Sequence, residues 1–502
     1  MGSLASRSEL PAPRAMPIVG WRGNILRFFR DPIAYMDTLP WTEHGMVGFA
    51  QGMTGGVFEP WSPGGGVIVR APSLNQSVLG RPEVFHAVRV PGPTESASFR
   101  LLTSGLFAMN GEAHASQRKL ILPAFHRRRL EAHRESLEAI TRETLDTLRV
   151  GATLDVYQEM KRLTLRTTAR VLFGIDPTPG AVHLGEQILR FIAATTSPLS
   201  MIPLNLPMTP RRRVIDLADE LVASYSALIA ERRKESGASA RTDVLSLLLE
   251  GRDEAGVGLT EDEVIAQTFA LFFAGHSTTA GALTWTIFLL SQHPEVMAAV
   301  HDEVSATLRG GAPTLEHLGA MPLLTRAIDE SLRLLPPVPF TLRRAVTETE
   351  LGGVALPART DVIVDFYHAQ RAPEEYNEPR RFKPERWIHA DPRAGAWLPF
   401  GIGPRACIGA SLASMQLKIV LSMLIQQYRF ELAPGAVIDQ QTAIVLLPRH
   451  GLPMVVRAQD RDFNRSRGEP RGNVFGMFDP PDAPASESSA RIHAARVQGA
   501  TS

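Results

Sequence analysis

The chain has 502 residues, 44% hydrophobic and 21% charged, which is the composition of a globular protein with ample material for a core. A formal net charge of +1 argues against a general nucleic-acid binder, which carries a basic excess. The single cysteine, Cys407, excludes an intrachain disulfide, a four-cysteine iron–sulfur cluster and a cysteine-rich zinc site.

At the N-terminus, MGSLASRSELPAPRAMPIVGWRGNILRFFRDP is interrupted throughout by proline and arginine. It holds neither the ~20 apolar residues of a membrane span nor the apolar core of a secretory signal. Residues 1–20 therefore read as an extension, and the protein as soluble, cytoplasmic and without a membrane anchor. Up to about Val90, Gly/Pro punctuation around short apolar runs such as GGVIVRAP predicts a few strands, and Pro91–Gly105 a long loop. Helical spacing of apolar residues then predicts helices over Arg127–Arg149 and Leu154–Gly174. Pro198, Pro203, Pro207 and Pro210 break the following helix in an unusually apolar loop.

A long helix is predicted from Thr260, where TEDE supplies a capping box, to about Gln292 ahead of His293-Pro294. Its middle, TFALFFAGHSTTAGALTWTIFLL, is apolar nearly all round and belongs in the domain centre. Shorter helices follow over Pro294–Leu308 and Leu323–Leu335, strands over Val338–Val364, and terminal hairpins after Tyr428. Beyond Gln459, Pro, Gly, Ser and charge dominate, so 459–502 reads as a disordered tail. The whole is one mainly α domain with a minor β part.

Cys407 lies in FGIGPRACIG, Phe400 to Gly409, just where an apolar-periodic helix opens. Three readings compete. The thiol is a small buried hydrophobe, as most lone intracellular cysteines are. Alternatively it is a catalytic nucleophile, but the loop offers no histidine base. Or it is a thiolate ligand to haem iron, for which glycines permit the close approach and a helix dipole favours the charge.

The ten residues match the F-x-x-G-x-R-x-C-x-G signature position for position, and on that motif the chain resembles the cytochrome P450 superfamily of haem-thiolate monooxygenases. The resemblance implies haem b held between the long central helix and the cysteine-loop helix, with P450 fold limits of 21–458. It makes Cys407 the axial ligand, sets Phe400 beside the sulfur, puts Arg405 on a propionate, and counts Gly409 among the haem contacts. Glu330 and Arg333 in IDESLRLLPPVP, with Arg386 in FKPERW, are similar to the family's buried Glu-Arg-Arg network. His114 and Arg118, four apart on one helical face, and Arg343 resemble its remaining propionate contacts, although the adjacent Arg344 competes for the last assignment.

In AGHSTT, Ala274 leaves room for the cofactor, Thr278 matches the threonine that helps deliver protons, and Ser277 departs from the usual acid. That departure keeps open a rearrangement or dehydration enzyme; a haem-binding sensor without turnover is an alternative of another class. The implied reaction inserts one oxygen atom from O2 into an apolar molecule. Residues 91–105, 197–210 and 270–273 match substrate-contacting regions, and their Leu, Ile, Met, Phe and Pro content favours a lipid-like, terpenoid or polyketide substrate, unless they are simply core. Without iron–sulfur cysteines or a flavin-sized tail, electrons are expected from a separate ferredoxin or flavodoxin with its reductase, serving a monomer. Arg127, Arg128 and Arg129 either steer such an acidic partner or form a solvated charge run.

Overall fold

The computed structural model describes residues 5–6, 9–14, 21–49, 65–90, 92–174, 179–234, 243–252, 256–442, 444–464 and 471–481. The site is framed by helices α1 (Gly111–Ile121), α2 (Arg127–Asp146), α3 (Val156–Phe173), α4 (Glu261–Gln292), α5 (Pro322–Leu334) and α6 (Ala410–Gln427). At 1.5 Å per residue, α4 runs for roughly 48 Å. Its start is the predicted capping box: the Thr260 N–H donates to Glu263 Oε2 at 2.8 Å and the Glu263 N–H to Thr260 Oγ1 at 3.3 Å. Phe272, Leu283, Trp285, Phe288 and Leu289 are fully or almost fully buried around its girth, because α3, α5 and α6 all pack on it.

Beside this helical core lies a sheet of β1 (Met46–Phe49), β2 (Gly66–Val69), β3 (Phe85–Ala87), β4 (Phe340–Ala345) and β5 (Asp361–Asp365) in the order β1-β2-β5-β4-β3. Most neighbours are antiparallel; β2 and β5 run parallel, with Val67 opposite Val362. A second sheet joins Tyr428–Leu432, Pro453–Ala458 and Thr153–Asp155, and Gln440–Thr442 pairs with Leu446–Pro448 as a hairpin.

Several expectations change. The region before Val90 also contains helices, Trp21–Arg30, Pro32–Asp37 and Pro72–Gly80, the last two opened by proline at the first turn. The expected loop 91–105 contains the helix Ala97–Leu102, N-capped by Ser96 Oγ on the Phe99 N–H. Leu154 lies in a strand, and α3 begins only after Asp155, whose carboxylate caps it. Cys407 precedes α6 by three residues.

The tail is also different from expectation. Phe463, Val474, Met477 and Phe478 are buried, the Phe475 and Phe478 rings meet the α4 Phe288 ring edge-on, and Asp479 pairs with Arg380 at 3.0 Å. Average composition concealed a short apolar cluster, VFGMF, dense enough to dock. Residues 482–502 and most of 1–20 lie outside the described residues, as do the side chains of Arg127 and Arg128.

Candidate functional site

The cysteine loop is shaped by two glycines with left-handed backbone, Gly401 at φ 65° and Gly403 at φ 75°. At Gly403 a Cβ would sit 2.6 Å from the Leu79 carbonyl oxygen, so no other residue fits. One 3-10 turn, Gly403–Arg405, carries the chain round, and the Cys407 N–H donates to the Phe400 carbonyl at 2.8 Å. Phe400 packs half-buried on the main core. Cys407 is exposed as a residue, and the surrounding protein pushes its thiol up by desolvation, against the opposing pull of the Gly409 N–H and Arg118. A thiol held protonated by its surroundings becomes a thiolate only opposite a cation.

Three arginines and a histidine converge on this loop. Burial, then Arg405, Arg118 and Arg343, push the His114 imidazole down to about 4. Burial and Arg405 lower Arg343 to about 10, and burial and Arg118 lower Arg405. Among the described residues none of Arg118, Arg343 and Arg405 has a carboxylate partner. The Arg405 guanidinium donates to the Met109 carbonyl and, at 2.8 Å, to Asn110 Oδ1, while its buried Nε finds no acceptor. Like charges gathered without an acid, with a buried donor left over, call for a multiply anionic ligand. The two propionates of haem meet that requirement, and the sole thiol beside them suits its iron.

Strand alternation sends Arg343 and Arg344 to different surroundings. Arg344 pairs with buried Asp361 directly across β4 and β5, Nε to Oδ1 at 2.6 Å, whereas Arg343 faces the cation cluster. Placement of α1 depends on residues that sequence reasoning missed. Asn110 clamps β3 by accepting from the Ala87 N–H at 2.8 Å and donating to its carbonyl at 3.1 Å. Gln117 donates to Glu263 at 2.6 Å and accepts from Gln267 of α4. Asn110 is an N-cap residue type and offered a helix-start signal, although its side chain makes no capping bond, but the glutamine chain left none.

On α4, Ala274, Ser277 and Thr278 are partly accessible and share one face. Thr278 Oγ1 donates to the Ala274 carbonyl at 2.5 Å, the predicted back-bond. Ser277 Oγ lies 3.2 Å from His276 Nδ1. Upstream, Phe273 of α4 meets the exposed Phe107 edge-on, while Phe269 contacts Phe191, which contacts Phe99, all three buried in the main core. The 197–210 segment is not core: Leu199, Ile202, Leu204, Leu206 and Met208 are all exposed.

Behind the cysteine loop the Glu-Arg-Arg network is present and fully buried at Glu330 and Arg333. Arg333 holds the carboxylate through Nε at 2.9 Å and Nη2 at 2.8 Å, and Arg386 through Nε at 2.9 Å. Burial opposes the charge on Glu330, but the two arginines outweigh it and hold the carboxyl below its ordinary range. Trp387 Nε1, at 3.0 Å, is a further donor that sequence reasoning overlooked.

The sequence profile described as Cytochrome P450 matches residues 59–453. The chain belongs to the cytochrome P450 family. Among its curated P450 relatives, cyclooctat-9-en-7-ol 5-monooxygenase of Streptomyces melanosporofaciens is 32% identical over 84% of this chain and 90% of the relative. Pentalenene oxygenase of Streptomyces avermitilis is 29% identical over 85% and 92%. In solved structures, retinoic acid-bound cyanobacterial CYP120A1 superposes with a TM-score of 0.77 at 23% identity, over 91% of this chain and all of that one, and shares the fold. The protein is thus a P450 monooxygenase that binds haem b, with a mainly α fold. P450 monooxygenases draw electrons from a redox partner. Among the described residues no helix is long and apolar enough to cross a membrane.

Proposed function

We propose that Cys407 is the axial thiolate of the haem, that Arg118, Arg343, Arg405 and His114 hold its propionates, and that the substrate is a terpenoid oxidised with electrons from a separate ferredoxin or flavodoxin. The observation that carries the site assignment is the acid-free cation cluster with its unpartnered Arg405 Nε, beside the sole thiol. When bound, haem supplies dioxygen activation: two electrons and two protons enter, one oxygen atom leaves as water and the other joins the substrate. The chain does the rest. Phe400 packs beside the sulfur and the Gly409 N–H points at it, which tempers its basicity. Ala274 and Gly409 leave room for the cofactor. Thr278 and Ser277 present hydroxyls on the accessible face of α4, where they hold the water through which protons pass.

The terpenoid reading is supported by the relatives' substrates, by the accessible Phe107–Phe273 pair, and by the exposed apolar side chains of the 197–210 segment. A single cysteine leaves the described site without an iron–sulfur centre of its own, in keeping with an external electron donor.

The test is turnover of a terpenoid, polyketide and fatty-acid panel under labelled dioxygen, with and without ferredoxin and its reductase. A terpenoid product carrying one labelled atom, formed only with the donor, is expected. Product formed without label or without donor overturns the reading, and turnover confined to fatty acids or polyketides overturns the substrate class. Thr278→Ala is expected to keep haem and substrate binding while diverting electrons to hydrogen peroxide.

A further inference from the structure

We infer that His276 is a positioning residue: it takes the only hydrogen of the Ser277 hydroxyl and so presents Ser277 as an acceptor-only anchor for water on the accessible face of α4. The inference rests on the proposed place of Ser277 and Thr278 in proton delivery.

The tautomer follows from the partners. His276 Nε2 lies 3.2 Å from the carbonyl oxygen of Lys161 in α3. A carbonyl only accepts, so Nε2 carries the hydrogen. The ring is 1% exposed and lies nearly parallel to Phe272, with centroids 5.9 Å apart at 10°. Burial, aided by the Lys161 charge and only partly offset by the carbonyl, pushes its protonation down to about 4, so the imidazole is neutral. Nδ1 is then a bare lone pair 3.2 Å from Ser277 Oγ, and the serine hydrogen points to it.

This arrangement gives Ser277 an unusual polarity. A free serine both donates and accepts, but here donation is spent within the protein and two lone pairs remain for water. An ionised carboxylate, the usual group at this position, is likewise acceptor-only. Ser277 with His276 reproduces that polarity without the charge.

His276 itself is a dead end for protons. Its one hydrogen is committed to a main-chain carbonyl inside α3 that also accepts from Thr164 Oγ1 at 3.1 Å. Passing a proton through the ring would strip Nε2 and leave that contact as lone pair against lone pair. The ring orients; it does not relay.

Two substitutions separate the two ring nitrogens. His276→Asn keeps an acceptor near the Nδ1 position and loses the reach to Lys161, whereas His276→Gln keeps the reach and loses the acceptor. With the terpenoid that shifts the haem spectrum most, we expect His276→Gln to raise peroxide release per product by about five-fold, the scale of one ordinary hydrogen bond. Ser277→Ala should match it, the double variant should add nothing, and His276→Asn should stay within about two-fold of wild type. Equal effects of Asn and Gln, or additive effects of Gln and Ser277→Ala, overturn the inference.

A second readout does not depend on turnover. In the full-length holoprotein, as its reduced carbonyl complex with 15N-labelled histidine, His276 should show a protonated Nε2 and a hydrogen-bonded Nδ1. Ser277→Ala should move only the Nδ1 resonance, downfield. A protonated Nδ1 in the wild type overturns the inference outright. If Thr278→Ala fails to uncouple, the proton-delivery reading falls, and with it the water-anchor role. The nitrogen spectrum would then show separately whether the His276–Ser277 geometry is correct.

Discussion

Substituting either arginine of the Glu330 network should separate the two by stability. The buried carboxylate accepts from Arg333 twice, from Arg386 Nε and the Lys383 N–H at 2.9 Å each, and from Trp387 Nε1 at 3.0 Å. Arg386→Ala removes one charge-assisted bond and leaves four donors in place. The other Arg386 contacts go to carbonyls of Asn377, Glu378 and Arg381 near the surface, where water substitutes. A loss of about 1.5–3 kcal/mol follows. Arg333→Ala removes both bonds of the fully buried partner, leaves the Gln370 and Pro379 carbonyls short of a donor, and opens a void, for about 3–5 kcal/mol. Urea unfolding of the holoprotein followed by circular dichroism measures the ordering, and haem content per chain should fall in the same order. Equal losses for the two variants, or either variant within about 0.5 kcal/mol of wild type, would refute the reasoning.

Cys407→Ser is expected to abolish the thiolate-type spectrum of the reduced carbonyl complex, because a serine oxygen is a harder and weaker donor to ferrous iron; an unchanged spectrum removes Cys407 as ligand. Desolvation works against the charge on the partly buried His368, yet Asp365 at 2.6 Å and Asp37 at 2.9 Å more than offset it and raise it to about 9. Its folded value lies above the unfolded one of about 6.5, so its contribution is full below pH ~6.5 and is lost as pH rises toward 9. His368→Gln should flatten that part of the stability profile, read by urea midpoints at each pH. Phe478→Ala should cost about 3–5 kcal/mol, since the ring is 3% exposed and packed on Phe288; a loss below about 1 kcal/mol means the segment is not docked.

Much of the site was legible because its residues lie close in sequence or carry one-of-a-kind chemistry. The FGIGPRACIG loop is contiguous, the Thr260 capping box is local, and the Thr278 back-bond needs only its own helix. Convergence in space was not legible. The family resemblance grouped Arg343, Arg405, Arg118 and His114, but nothing in the sequence tells that they meet without an acid, or which of Arg343 and Arg344 faces the others; strand register decides the latter. The role of His276 was equally hidden, because its tautomer is set by a carbonyl of a different helix. Composition misjudged 471–481, where an average over many polar residues masked the few that dock.

The packing of Phe478 against Phe288 also constrains when the protein can finish folding. Synthesis proceeds from the N-terminus, so the middle of α4 is made long before the segment that covers it. Until residues 471–481 emerge, the Phe288 ring lacks Phe475 and Phe478 over one side, the Arg371 guanidinium lacks the Met477 carbonyl, and Arg380 lacks Asp479. The stretch from Arg371 to Arg381 also supplies the Pro379 and Arg381 carbonyls that hold Arg333. Final closure of the scaffold behind the cysteine loop is therefore a late event in the life of the nascent chain. A released chain cut short just after the Pro453–Ala458 strand would display a nearly complete fold with an open seam.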